Sequence, residues 1–471
     1  MKNINMNFKK LAAFVLVALM TVGASAQTLR TGYFLDGNLF SYRLNPALQP
    51  ARGYFSIPVL GGINLNTTGN VGMSNFLYNS PLNNDKLVTF MHSSVSADEF
   101  LGNLEDKNNF RMNLDVTLFS VGFYAFGGFN TIDLTMRSQT GMNLPYDLFR
   151  FMKVMGADKY SFGDIEMQSK NYADLSIGHS HDINENLTIG ARAKFLFGLG
   201  YANAVFNKMD IAMSGDKWVI AADAQADIAL GGAFTHSKEK SAPGRAVVDG
   251  YDDIKAGLQG FGMGVDLGAT YDFSGVLVDG LVVSASLTDL GYISWNKTAR
   301  AAINPENPYE FSGFTEMSIH SNGTATLDDQ WETTQDELED FFTLEDKGEG
   351  KVKTGLGAKM NIAAEYKMPF YKKLSAGVLY THCFDDLFSY DQTTVMLSVS
   401  PLKVFDLAVS SSFSDFGTGF GAMANLHCPG FSFFLGTDCF LSKVGKQYIP
   451  LENMNASVSF GVNIGFGRHK K

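Results

Sequence analysis

The chain has 471 residues, a formal net charge of -11 and only three cysteines. Three is an odd number and too few for a disulfide framework, and an acidic chain without a basic patch excludes nucleic acid as a partner. Glycine and aromatic residues are abundant, with 48 Gly, 39 Phe and 18 Tyr, whereas charged residues make up only 18%. This composition indicates a β-rich protein of the cell envelope.

Residues 1–26 have the pattern of a secretory signal peptide. Three lysines precede an apolar stretch at residues 11–22, and Ala24-Ser25-Ala26 has the A-x-A form of a cleavage site. The stretch is too short for a transmembrane anchor. We therefore predict cleavage after Ala26, which removes three lysines and no acidic residue and changes the net charge from -11 to -14.

Residues 261–273 alternate strictly between two kinds of side chain. The apolar members are Phe261, Met263, Val265, Leu267, Ala269, Tyr271 and Phe273. The intervening members are Gly262, Gly264, Asp266, Gly268, Thr270 and Asp272. Successive side chains of a β-strand point to opposite faces, so this alternation predicts a strand with one apolar face and one small or polar face.

The same alternation recurs along most of the chain, for example at residues 187–199, 356–366 and 458–466. A strand of ten steps is roughly 33 Å long and, tilted by about 40°, spans roughly the 25 Å apolar band of an outer-membrane barrel. A secreted sandwich could show the alternation but does not need such lengths. We predict an all-β fold, an antiparallel transmembrane β-barrel of about fourteen strands located in the outer membrane and surrounded by its lipid.

In such a barrel the apolar face contacts lipid and the Gly/Asp/Thr face contacts the lumen. We therefore expect Val265→Arg to be costly, because it places a cation in lipid. We expect Asp266→Asn to be tolerated, because it changes only a lumen residue.

Four long inserts separate the predicted strands, at residues 72–111, 141–170, 231–258 and 296–353. A capping box at residues 96–99 and an amphipathic pattern at residues 144–155 predict short helices in the first two. The third is polar and glycine-bearing, typical of a flexible loop. In the fourth, Trp331, Leu338 and Phe342 form an apolar stripe, which predicts a packed loop helix at residues 328–344.

The sequence contains few candidates for catalytic or metal-binding residues. Nucleophile-elbow, zincin, phosphate-loop and dinucleotide-binding spacings do not occur. His179 and His181 share a strand face, which is better explained by two polar residues at a strand end than by a metal site. We predict no enzymatic activity, no cofactor and no metal.

Asn45-Pro46-Ala47, shortly after the predicted cleavage site, has the form of a proline-bounded turn. This tripeptide in this place resembles FadL-type outer-membrane barrels, which transport hydrophobic compounds. That resemblance implies fourteen strands and an N-terminal segment that plugs the lumen, here residues 27–50, with residues 51–471 forming the barrel. Two further stretches, RLNPALQPARGYFSIPVLGGINL and LPYDLFRFMK, resemble an uncharacterised Bacteroidetes envelope family, whose related barrels include accessory proteins of a secretion system.

Two functions remain open from sequence. The first is passive transport or binding of small hydrophobic molecules, with the residues Asn45, Pro46, Ala47, Gly262, Gly264 and Asp266 as plug or ligand candidates. The second is a non-enzymatic accessory or scaffold barrel, whose long loops bind partner proteins of the envelope or of a secretion system. An aqueous porin is a third alternative, which a plug packed against the inward glycines disfavours.

Overall fold

A computed structural model of the protein describes residues 29–81, 83–154, 159–213, 217–238, 241, 245–303, 308–311, 343–385, 387–440 and 455–467. Its main sheet is a closed antiparallel barrel of fourteen strands, which confirms the predicted fold class. The predicted signal peptide and the predicted loop helix at residues 328–344, with Trp331, Leu338 and Phe342, lie outside the described residues.

The barrel strands are labelled in chain order, and five of them consist of two segments. The first seven are β1 (Gly53–Ser56 and Ile63–Gly69), β2 (Lys107–Ala125), β3 (Gly128–Pro145), β4 (Lys159–Phe162 and Ile165–Asp182), β5 (Leu187–Met213), β6 (Trp218–Ala229 and Gly260–Asp272) and β7 (Leu281–Ala302 and Tyr309–Phe311). The others are β8 (Glu345–Gly355 and Ala358–Lys367), β9 (Leu374–Phe384), β10 (Tyr390–Leu402), β11 (Phe405–Ser414), β12 (Gly417–Cys428), β13 (Phe431–Thr437) and β14 (Ala456–Phe466).

Neighbouring strands pair in chain order, and the barrel closes where β1 pairs with β14. Ile63 lies opposite Phe460 of β14 on one side and Val116 of β2 on the other. Since β1 has a partner on both sides, closure leaves neither the first nor the last strand as a sheet edge.

Several strands extend further than the sequence predicts. Residues 187–199, predicted as a strand, are only the first part of the 27-residue strand β5, which continues to Met213. Likewise, β3 and β4 enter the insert expected at residues 141–170, and only a short segment separates them. The alternation weakens along these extensions because they pack against loop elements instead of lipid, so hydrophobic periodicity underestimates their length.

The two faces of the barrel wall differ as expected. In β6, Phe261, Met263 and Leu267 are 46%, 54% and 48% exposed, whereas Asp266 on the opposite face is fully buried. The exposed face is the one that contacts lipid in a transmembrane barrel. Separately, the described helices include none that is long and apolar enough to cross a membrane.

Within the part of the chain that the structure describes, the inserts contain three short helices, α1 (Met73–Phe76), α2 (Ala97–Leu101) and α3 (Tyr146–Lys153). The predicted capping box is confirmed, because the Ser96 hydroxyl accepts a hydrogen bond from the Glu99 N–H at 3.1 Å. The helix predicted within residues 144–155 is confirmed as α3. The insert at residues 231–258, expected to be a flexible loop, contains the hairpin Ala233–His236 and Val248–Asp252 instead, buried through Phe234 and Tyr251.

Residues 29–50 form a plug inside the barrel. The plug contains two 3-10 helices, Arg30–Gly32 and Ser41–Arg43. Its apolar side chains pack on the inner wall in two buried clusters. In one, Leu35, Leu39 and Phe40 join wall residues such as Tyr54 and Phe434; in the other, Tyr33 and Leu44 join Ala363, Leu379 and Met396. The plug therefore has its own hydrophobic contact with the barrel, in addition to polar ones.

Candidate functional site in the lumen and wall

Asn45 fixes the central turn of the plug to the wall. Its side-chain amide donates to the Tyr33 hydroxyl at 3.2 Å and reaches the carbonyl oxygens of Ala269 and Ala285 at 3.4 Å. Its Oδ1 accepts the Ala47 N–H at 3.0 Å, which closes the turn around Pro46. The three residues singled out in the sequence are therefore buried together against β6 and β7.

Glycines of the wall let this turn approach closely. A Cβ atom added to Gly268 would lie 2.0 Å from Oδ1 of Asn45 and 2.9 Å from Cδ of Pro46. On β5, a Cβ added to Gly190 would lie 2.3 Å from the carbonyl of Pro46. Any larger side chain at these positions would displace the turn.

The other two glycines proposed from sequence do not face the plug. A Cβ atom added to Gly262 would lie nearest to atoms of Tyr292 and Ile293. A Cβ atom added to Gly264 would lie nearest to the side chain of Leu356. These glycines adjoin a buried apolar layer inside the barrel made by side chains of the wall itself, namely Tyr172, Leu196, Tyr201, Ala229, Ile293, Trp295 and Leu356. The alternation identified the lumen face but could not show which part of the chain fills each space.

Asp266 lies at a β-bulge and holds two buried cations. Its carboxylate is 3.0 Å from Nη1 of Arg192 and 2.7 Å from Nζ of Lys194. It also accepts the Asp289 N–H at 2.7 Å. Thr288 and Asp289 together oppose Asp266 across the β6–β7 pair, and the positive φ of Asp289, 57°, lets both side chains be buried.

Two more carboxylates extend this network across the lumen. Asp133 of β3 accepts hydrogen bonds from Arg43 of the plug, Arg192 and the Tyr42 hydroxyl, at 3.1, 2.9 and 2.7 Å. Asp289 contacts Lys194 at 2.5 Å and also binds Arg137 of β3 and Lys359 of β8. The charges therefore join the plug to the wall and distant strands to one another.

The electrostatics of the plug follow from this burial. Burial raises the pKa of the Tyr42 hydroxyl, and the neighbouring Asp133 carboxylate raises it further. Burial alone would lower the pKa of Arg43, but Tyr42 and Asp133 raise it above its usual value. Arg43 is thus a permanent cation and Tyr42 a neutral hydrogen-bond donor.

A polar cavity of about 40 Å³ lies beside the plug within the lumen. Its charged lining is mostly cationic, with the residues Arg30, Arg43, Arg111, Arg137 and Lys359 facing only Asp115 and Asp289. This volume is enough for about three water-sized molecules. In the part of the lumen that the structure describes, plug, apolar layer and ion pairs thus leave little free space.

A second cavity, a crevice of about 270 Å³, lies at the interruption of β8. Within the described residues, the segment Glu345–Gly355 pairs with β7, and β8 pairs with β9 only from Ala358 onward. The crevice is lined from both sides of the wall. Its lumen side includes Glu166, Gln168, Lys170 and Leu356, and its lipid side includes Leu290, Ala358 and Phe384.

Neither the partners of Asp266 nor the crevice was predicted from the sequence. The partners of Asp266 could have been predicted from the alternation in residues 187–199, since Arg192 and Lys194 occupy inward positions of β5. Charged residues at inward positions of a membrane barrel have to pair in the lumen. The crevice has no comparable signal, because it depends on where two strands stop pairing.

The fold and its filled lumen define the protein as a fourteen-stranded transmembrane β-barrel with an N-terminal plug. Residues 46–438 match the profile of DUF5723, a family of unknown function. The chain therefore belongs to the DUF5723 family, which agrees with the predicted membership of an uncharacterised family. A comparison with curated proteins finds no match.

Solved structures similar to the chain include two toluene transporters and a FadL homologue. The toluene transporter TbuX of Ralstonia pickettii has 8% identity and a TM-score of 0.41, over 92% of this chain and 94% of that one. A FadL homologue of Pseudomonas aeruginosa has 11% identity and a TM-score of 0.42, over 95% of this chain and 100% of that one. The toluene transporter TodX of Pseudomonas putida has 9% identity and a TM-score of 0.39, over 95% of this chain and 96% of that one.

Proposed function

We propose that the protein is a passive outer-membrane transport barrel for small hydrophobic molecules, which pass through the crevice in its wall. The observation that supports this most directly is the lining of the crevice by residues from both faces of the wall. Apolar solutes concentrate in the bilayer, so an opening toward lipid selects them over ions. The apolar side chains of Leu290 and Phe384 at its lipid side suit such solutes.

The filled lumen supports the same proposal. The plug, the apolar layer and the ion pairs oppose a straight aqueous path, so a water-filled porin is the weaker alternative. The crevice lies in the half of the barrel that carries the long connections, which face the cell exterior in outer-membrane barrels. A solute entering there would start from the outer leaflet.

Export through the predicted signal peptide is part of this proposal. N-terminal sequencing of the protein from the membrane fraction should begin at Gln27. An intact Met1 in that fraction would contradict cleavage.

Gly355→Phe is a variant designed to block the crevice. A Cβ added to Gly355 meets no atom within 4 Å, so the larger side chain fits without a backbone clash and occupies the crevice. Gly257→Phe is the matched control, because an added Cβ there meets only the end of Gln259, at 3.8 Å, in an exposed loop.

The assay is uptake of the apolar dye N-phenylnaphthylamine by Gram-negative cells that express each variant at equal level. The unmodified protein and Gly257→Phe should increase the initial rate over cells without the protein, and Gly355→Phe should return it to that baseline. Equal rates for the unmodified protein and the baseline would refute transport of this dye class. A Gly355→Phe rate equal to that of the unmodified protein would refute the crevice as the route.

A further inference from the structure

Arg30 of the plug is a buried cation whose side chain has only neutral partners. Its Nη1 donates to Oε1 of Gln392 at 2.8 Å, and its Nη2 donates to the Tyr390 hydroxyl at 2.7 Å. Its Nε is buried and has no hydrogen-bond partner among the described residues. The nearby Asp438 carboxylate is engaged by the main-chain N–H groups of Arg30 and Thr31, at 2.9 and 2.7 Å, and by the Thr31 hydroxyl.

Among the described residues, the ion pairs of the lumen do not include Arg30. The cations in these pairs are Arg43, Arg111, Arg137, Arg192, Lys194 and Lys359. The carboxylates are Asp115, Asp133, Asp174, Asp266, Asp289 and Asp385. Among the charged groups that line the cavity itself, five cations, including Arg30, face only Asp115 and Asp289, so the cavity has an excess of positive charge.

A buried guanidinium without a carboxylate partner is costly, and the cost falls when an anion pairs with it. Arg30 lines the cavity together with Tyr390, whose hydroxyl accepts from its Nη2, and the cavity has room for about three water-sized molecules. Arg43, Arg111 and Lys359 also line it and make its potential positive. A planar carboxylate matches the donor geometry of a guanidinium.

We propose that this cavity is a binding site for a small monovalent anion of the size of acetate or chloride, held by Arg30. The anion would link the plug, through Arg30, to cations of β2 and β8 in the wall. It would thereby stabilise the plug inside the barrel. This site is separate from the crevice, so the inference does not depend on the proposed transport.

The test is urea unfolding of the purified full chain in detergent, at equal ionic strength, in sodium acetate, sodium chloride or sodium gluconate. Gluconate is too large for the cavity and serves as the reference anion. An anion at one hundred times its dissociation constant should raise the ratio of folded to unfolded protein about a hundredfold. An effect of acetate alone identifies a carboxylate site, and equal effects of acetate and chloride identify a site for any small anion.

Arg30→Gln should abolish the difference between the anions, because it removes the charge and keeps a hydrogen-bonding side chain. Arg52→Gln is the control, since Arg52 contacts the Cys428 carbonyl at 3.3 Å beside a different cavity. Its unfolding should keep the anion dependence. Equal stability of the unmodified protein in all three salts, or an unchanged anion dependence in Arg30→Gln, would overturn the proposal.

Crystals grown in bromide provide a measurement that does not require the variant to fold. An anomalous difference peak within hydrogen-bonding distance of the Arg30 guanidinium is expected. A map of the unmodified protein without such a peak would count against the site.

Discussion

At the scale of single residues, the alternation predicts which face of the strand Asp266 occupies but not which residues it contacts. The alternation in residues 261–273 correctly assigns Asp266 to the lumen face. Asp266→Asn was expected to be tolerated, but the side chain is fully buried and bonded to Arg192, Lys194 and the main chain of Asp289, which is a reason to expect a cost instead. Those partners are distant in sequence, and a strand's own periodicity contains no information about the strand beside it.

We now expect both neighbouring substitutions in β6 to destabilise the barrel. Val265→Arg places a cation in lipid and should cost about 2–4 kcal/mol. Asp266→Asn leaves two buried cations with one carboxylate fewer and should cost about 3 kcal/mol. Urea unfolding of both variants in detergent measures these changes in the free energy of unfolding.

Asp249→Asn is the control for loss of an acidic charge, because Asp249 is exposed and its partner among the described residues is the hydroxyl of Thr235. Its free energy of unfolding should change little. If Asp266→Asn were as stable as Asp249→Asn, the buried ion pairs would contribute less than the structure implies.

At the scale of elements, irregular places in the strands position the polar groups of the lumen. The bulge at Asp289 turns an extra carboxylate inward, and the interruption of β8 opens the crevice. Beside that crevice, Asp385 in the β9–β10 connection forms an ion pair with Arg111 of β2 at 3.5 Å. Periodicity predicted the regular strands well, but bulges and interruptions appear in sequence only as breaks in a pattern.

The Asp385–Arg111 pair should make this connection sensitive to acid. Burial alone would raise the pKa of Asp385, but Arg111 lowers it below the usual value. A carboxylate with a lowered folded-state pKa stabilises the protein fully above its unfolded pKa of about 4 and loses that contribution as pH falls through the folded pKa. We therefore expect the free energy of unfolding to fall below about pH 4, and to fall less steeply in Asp385→Asn.

Urea unfolding at a series of pH values tests this expectation. Asp415→Asn, which changes an exposed carboxylate in the β11–β12 turn, should keep the slope of the unmodified protein. An equal slope in all three proteins would show that the pair contributes no measurable acid sensitivity.

At the scale of the whole molecule, the plug is attached to the barrel wall by apolar contacts, hydrogen bonds and an ion pair. The strand number was predictable, because each membrane strand repeats the same two-faced pattern. The plug was anticipated only through the resemblance carried by Asn45-Pro46-Ala47, since residues 27–50 have no periodicity of their own. The polar character of the lumen followed from the inward residues, but the way in which plug and wall fill it did not.

Removing the plug should open the lumen to ions. Deletion of residues 27–50 removes Arg30, Arg43 and the buried turn at Asn45, so water can enter between the wall charges. We expect a higher single-channel conductance in planar bilayers than the low value of the intact protein. Asn45→Ala should produce brief openings, because it removes the hydrogen bonds to Tyr33 and to the β6 and β7 carbonyls.

Gln49→Ala is the matched control, because Gln49 contacts Asp182 at 3.1 Å at an exposed position. Its conductance should equal that of the intact protein. A large steady conductance of the intact protein would instead mean a porin, and the closed-lumen interpretation would fail.

The pairing of β1 with β14 determines the order in which the molecule can assemble. The plug leaves the ribosome first, yet Arg30 and Thr31 bind residues of β10, β11 and the segment after β13, which are made among the last. Because these contacts hold the plug against several strands at once, we expect the plug to be in place before β1 meets β14. Folding therefore waits for contacts between the two ends of the chain, and such non-local contacts make folding slow. Until then the chain needs protection from aggregation in the periplasm, and the last strand to arrive completes the wall and encloses the plug in a single step.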